Sequence, residues 1–204
     1  MQPSKLCLAS LIGATCALIG LGAAAQTTET GTAGPATTPS GDSAKAAGLS
    51  SSDREFVQKA AMGGMAEVEL GKLAKQTATS DQVKNFGEHM VQDHSKANDE
   101  LKAIASAKGV QVPAELGEKH KAAMQKLQKL SGGEFDREYM KQMVADHRQT
   151  VADFKKQAES GNDADLKSFA ASTLPQLQEH LKMAQSTSEA TKTSKGDAGT
   201  KSTY

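Results

Sequence analysis

The chain has 204 residues, 24 basic side chains balanced by 24 acidic ones, 3% aromatic residues and no tryptophan. No basic block is interleaved with aromatics, so neither phosphate neutralisation nor base stacking is provided for, which argues against nucleic acid as a partner. Both cysteines, Cys7 and Cys16, fall within the first 25 residues, so the remainder has no thiolate for catalysis, metal binding or a disulfide.

Residues 1–25 read as a signal peptide. Lys5 gives a modest positive start, residues 6–21 are apolar and small, and Ala23-Ala24-Ala25 fits a signal-peptidase site. The uncharged stretch is just long enough to span a bilayer, which leaves an uncleaved anchor as the alternative. Cys16 lacks the aliphatic residue three positions earlier that a lipoprotein acceptor needs. A periplasmic location or an association with the outer membrane follows as the expectation. Residues 26–50 are rich in Thr, Gly, Ala, Ser and Pro and read as a disordered linker. The stretch 51–185 suits one domain with one core, and 186–204, rich in Ser, Thr and Lys, reads as a disordered tail.

Within the domain the apolar residues recur at helical spacing and β alternation is missing, so the class is all-α. Ser52-Asp53-Arg54-Glu55 has capping-box spacing and opens a helix over 52–77, with Phe56, Ala60, Gly63, Glu67, Leu70 and Ala74 inward. A second helix over 81–108 places Val83, Phe86, Met90, His94, Leu101 and Ile104 on one face and ends at Lys108-Gly109. Pro113 opens a shorter crossover helix to about Leu130. Ser131 to Glu134 again has capping-box spacing and starts a helix over 134–160 with Met140, Met143, His147, Val151 and Phe154 inward. A last helix over 163–186 carries Leu166, Phe169, Thr173, Leu177, Leu181 and Ala184, with His180 bordering that stripe. Pro175 lies inside it and frees the carbonyl of Ala171, so the helix either kinks, restarts there, or bends to re-aim His180.

A repeat organises these elements. Asp53-Arg54-Glu55-Phe56 returns as Asp136-Arg137-Glu138-Tyr139, and Val83-Lys84-Asn85-Phe86 returns as Leu166-Lys167-Ser168-Phe169, both at an offset of 83 residues. The first and second helices therefore match the last two, and the long link between halves can run back along the bundle. The expected architecture is a ferritin-like four-helix bundle built from two duplicated helical hairpins with a crossover helix.

Glu67, His94, His147 and His180 are polar residues on or beside apolar stripes, one from each long helix. The first three lie near mid-helix, and His180 lies about a turn and a half beyond it. A buried carboxyl or imidazole is costly unless paired or coordinated, so these four are the candidate metal ligands. Asp93 and Asp146 precede two of the histidines and are candidate supporting groups, with solvation or pairing to lysines as the plainer reading. Met90 and Met143 stand four residues before His94 and His147, and Met183 three after His180. Imidazole with thioether suits copper, and imidazole with carboxylate suits zinc or iron, while methionine is also a common core filler. His89 and His120 lack this context and are expected to be exposed.

The capped Asp-Arg-Glu-Phe start, Met90-Val91-Gln92-Asp93-His94 and Met143-Val144-Ala145-Asp146-His147 together resemble a bacterial family of exported ferritin-like domains, domain of unknown function 4142. The resemblance spans about 51–185 and implies a four-helix bundle and an exported location, with no settled reaction. True ferritins hold iron in a carboxylate-rich cage with Glu-x-x-His motifs. None occurs here, because Val91 stands three after Glu88, which argues against ferroxidase activity.

Two function classes remain open on the residues. One is a periplasmic metal-binding bundle with a role in metal handling or stress protection. The other is a non-catalytic structural or partner-binding bundle whose polar cluster fixes helix register. No phosphate loop, nucleophile elbow or zinc-peptidase motif points to an enzyme.

Overall fold

The structure is a computed structural model and describes residues 48–197. The expected signal peptide and residues 26–47 of the expected linker lie outside the described residues, as does the end of the tail beyond Asp197. Among the described residues there are five helices and no strand: α1 (Ser51–Thr77), α2 (Asp81–Ala107), α3 (Glu118–Leu127), α4 (Gly132–Ser160) and α5 (Ala164–Asp197). α1 packs along α2 and α4 along α5, and the two hairpins meet through α1 with α4 and α2 with α5. The short α3 crosses between them and touches α1 and α4, completing the ferritin-like arrangement of two hairpins and a crossover.

Several helix ends differ from the expectations. α1 is capped by Ser50, not Ser52: the Asp53 N–H donates to the Ser50 hydroxyl at 3.1 Å, and Ser50 Oγ donates to Asp53 Oδ2 at 2.8 Å. The domain also begins before residue 51, because Leu49 is buried in the core and its carbonyl accepts from Arg54 Nε. Ser131 makes no side-chain cap to α4; the chain turns into α4 through Gly132 at φ +57°. α2 ends as expected, with the Val110 N–H on the Ala105 carbonyl and the Gly109 N–H on that of Ser106, the closing pattern for a left-handed Gly109.

The largest difference is α5, which continues past Ser186 to Asp197 instead of ending in a disordered tail. Small residues carry its buried stripe onward at spacings of four and three, through Ala184, Ser188 and Thr191. The Thr191 hydroxyl satisfies itself on the Ser188 carbonyl at 2.9 Å, and Lys192 pairs with Glu189 on the exposed side. Composition alone hid a periodic face. α5 also runs unbroken through Pro175, so the helix does not restart there.

Each half closes the turn of the other. Asp136, at the start of α4, accepts the Thr79 N–H at 3.1 Å, the Ser80 N–H at 2.9 Å and the Thr79 hydroxyl at 2.7 Å, all in the α1–α2 turn. Asp53, at the start of α1, accepts the N–H groups of Asn162 and Asp163 in the α4–α5 turn, both at 3.2 Å, and the Gln157 amide at 2.8 Å. Burial draws Asp53 upward, but these donors and Ser50 outweigh it and hold the carboxyl below its ordinary value. The two aspartates and their backbone N–H donors are related by the same 83-residue offset.

The core has two apolar clusters. One gathers Leu70, Phe86, Met90, Tyr139, Met143 and Ala184; the other gathers Phe56, Val57, Leu101, Phe154, Phe169 and Leu177. Phe56 and Phe154 meet edge to face at 5.0 Å between ring centres. On every long helix one polar residue stands in sequence between the two clusters: Glu67, His94, His147 and His180. Close approach of α1 and α2 is set by Gly71 and Gly87, where a methyl on either would come within 2.6–2.8 Å of the other's carbonyl oxygen.

Candidate metal centre

All four candidate ligands are buried, His94 and Glu67 each 7% exposed, His147 1% and His180 2%. His180, which borders the stripe by sequence, points fully inward, while Leu181 is only half-buried. The three imidazoles, from α2, α4 and α5, form a triangle with ring centres 5.4 Å (His94–His180), 5.6 Å (His147–His180) and 5.7 Å (His94–His147) apart. One ligand nitrogen from each lies within 4.8 Å of the others.

Hydrogen bonds fix two tautomers. His147 Nδ1 donates to the Met143 carbonyl at 2.9 Å, one turn back on α4, which leaves the Nε2 lone pair free. His180 Nε2 donates to Asp93 Oδ2 at 2.8 Å, which leaves Nδ1 free. His147 Nε2, His180 Nδ1 and His94 Nε2 are all buried without a partner. An imidazole whose second nitrogen is anchored to a carbonyl or carboxylate is the form in which histidine binds metals.

Desolvation keeps the rings neutral. Burial pushes His147 down to about 4, assisted by neighbouring His180 and opposed by the Met143 carbonyl. His94 is driven well below the usual imidazole range by burial and by the other two rings. His180 is lowered by burial against the pull of Asp93.

Glu67 belongs to the layer but not to the triangle. Its Oε1 lies 3.9 Å from His147 Nδ1, the edge of that ring already committed to Met143, and its Oε2 has no partner. Burial, with the Asp146 charge adding to it, raises the carboxyl well above its ordinary value.

The two aspartates diverge. Asp93 supports His180 across the α2–α5 interface and not its own neighbour His94, whereas Asp146 lies 4.0 Å from Lys119 of α3. Met90 and Met143 are wholly buried beside the layer. His89 is exposed as expected, but His120 is half-buried, its Nδ1 lacks a partner and burial lowers its pKa, because α3 lies against the bundle. Sequence reasoning missed Tyr139, whose buried hydroxyl has no partner and whose ionisation is suppressed by burial and by Glu67. Its signal was present in the repeat, where a tyrosine stands in the place of Phe56.

Solved structures of like fold accompany this geometry. A DUF305 fragment from Deinococcus radiodurans is 11% identical with a TM-score of 0.62, over 70% of this chain and 99% of that one. CopM in its Cu(II)-bound form is 16% identical with a TM-score of 0.59, over 68% and 96%. CopM in its Cu(I)-bound form is 16% identical at 0.56, over 66% and 93%. These likenesses establish the helical bundle. No curated protein matches the sequence. The family model described as "Domain of unknown function (DUF4142)" matches residues 38–187, and the chain belongs to that family.

Proposed function

We propose that the protein is an exported metal-handling bundle that holds a transition-metal ion between His94, His147 and His180, in the periplasm or against the envelope. The observation that carries this reading is the set of three buried imidazoles from three helices, each with a ring nitrogen that no hydrogen bond uses. A purely structural polar cluster closes its hydrogen bonds internally; this one leaves a nitrogen of each ring without a partner, and one ligand nitrogen of each lies within 4.8 Å of the others. Small ring rotations would bring them to the roughly 2.0–2.1 Å of a metal–imidazole bond.

Three imidazoles suit zinc, copper or iron and leave a further position open for water or another ligand. Copper is favoured here, because CopM, of like fold, was solved with Cu(II) and with Cu(I) bound. Met90 and Met143 add thioethers one helical turn before two of the histidines. The role we propose for such a site is metal buffering or stress protection.

Elemental analysis of the purified mature protein, before and after His94→Ala plus His147→Ala, tests the reading. One equivalent of metal lost in the double variant is the expected outcome. Loading well under one equivalent in the unaltered protein, with no thermal shift on adding zinc, copper or iron, would overturn it in favour of a metal-free structural bundle.

A further inference from the structure

The 83-residue repeat gives each residue of the polar layer a counterpart in the other half. His147 answers to Gly64, Glu67 to Thr150, His94 to Leu177 and His180 to Ala97. All four counterparts line one cavity of about 140 Å³. Where one side of the bundle is filled by imidazole rings, the other has small or apolar residues and an open volume. The cavity wall includes the exposed Glu55 and Lys59 near the start of α1, then Phe56 and Phe154, then Glu67 and His94. It therefore leads from the bundle end to the one histidine of the triad that it touches.

We infer that this cavity is the route by which a transition-metal ion reaches the triad, with the free Glu67 oxygen as the last stop before His94. The inference rests on the metal reading above. The three rings are buried, so an ion must exchange its water for protein donors before it arrives. Glu67 supplies one, since it lines the cavity and carries a buried oxygen with no partner. The opposite approach, past Asp93, is unsuitable. Asp93 is 28% exposed and reachable, but it holds His180 by Nε2, so an ion arriving there meets the protonated edge of the ring.

Filling the route should slow traffic without altering the destination. Ala97→Leu and, separately, Thr150→Leu place bulk in the cavity at positions outside the triad. Stopped-flow absorbance of Cu(II) loading into the full chain, and release to a chelator, should both slow on the order of tenfold, with Kd unchanged because the bound state is the same. Two plugs at different positions guard against one variant misfolding, which circular dichroism reads directly. Loading and release at unaltered rates in folded, plugged variants would overturn the route alone. Failure of the unaltered protein to take up Cu(II) would overturn the metal reading and the route with it.

Discussion

Asp93 and Asp146 occupy near-identical sequence contexts yet do different work. Asp93 fixes the tautomer of His180 on a neighbouring helix at 2.8 Å, whereas Asp146 faces Lys119. Removing a carboxylate that orients a metal-binding imidazole typically weakens metal affinity by roughly 10–100-fold. Asp93→Ala is therefore expected to lose that much in a competition titration with Cu(II) or Zn(II), and Asp146→Ala to stay within about threefold. Equal losses in both variants would contradict the assignment. The positions of the four polar residues were legible in the sequence, because each interrupts or borders an apolar stripe. The partnership of Asp93 was not, because it depends on how α2 and α5 face each other across 87 residues of chain. Tyr139 escaped for a related reason: only burial on all sides makes its hydroxyl an orphan.

Among the elements, the aspartate contacts that close the opposite turns should govern stability. Asp136 serves two N–H groups and a hydroxyl, and Asp53 two N–H groups and an amide. Loss of a cap that leaves buried donors unmet costs about 2 kcal/mol. Asp53→Ala and Asp136→Ala are each expected to lower the unfolding free energy by about that amount in urea titrations. Their effects should add in the double variant, since they act at opposite ends of the bundle. The helix spans and the duplication were readable from periodicity. The ends were less so: Ser50 and Ser52 offer the same hydroxyl two residues apart, and the far end of α5 has the composition of a tail but the spacing of a helix.

For the molecule as a whole, the buried layer ties stability to pH. The histidines have folded pKa values below their unfolded one, with His147 at about 4. Their contribution is complete above about pH 6.5 and is lost as pH falls toward 4, where the unfolded chain binds protons that the folded core refuses. Glu67 works in the opposite sense. Its folded pKa is raised, so its contribution is complete below about pH 4.5 and is lost as pH rises. Metal-free Glu67→Gln protein, which lacks the opposing group, is thus expected to lose stability steadily between pH 7 and pH 4 and to be more stable than the unaltered protein at pH 7. Urea unfolding at pH 7, 5.5 and 4.5 reads both. A flat profile would mean that the rings are not held neutral. Bound metal should add stability at neutral pH by mass action and lose that effect as protons compete for the same nitrogens.

The crossed aspartate contacts have a consequence for how such a molecule can arise. A hairpin alone lacks the carboxylate that closes its own turn and carries one that closes another's. Two copies of a single hairpin would satisfy each other in the same way, so self-association precedes fusion as a workable state. The fused chain keeps that mutual dependence, and its two halves are each incomplete as separate folding units. With pairing secured at the two ends, the middle of each copy was free to diverge, so that a position holding a polar side chain in one copy answers to a cavity-lining residue in the other.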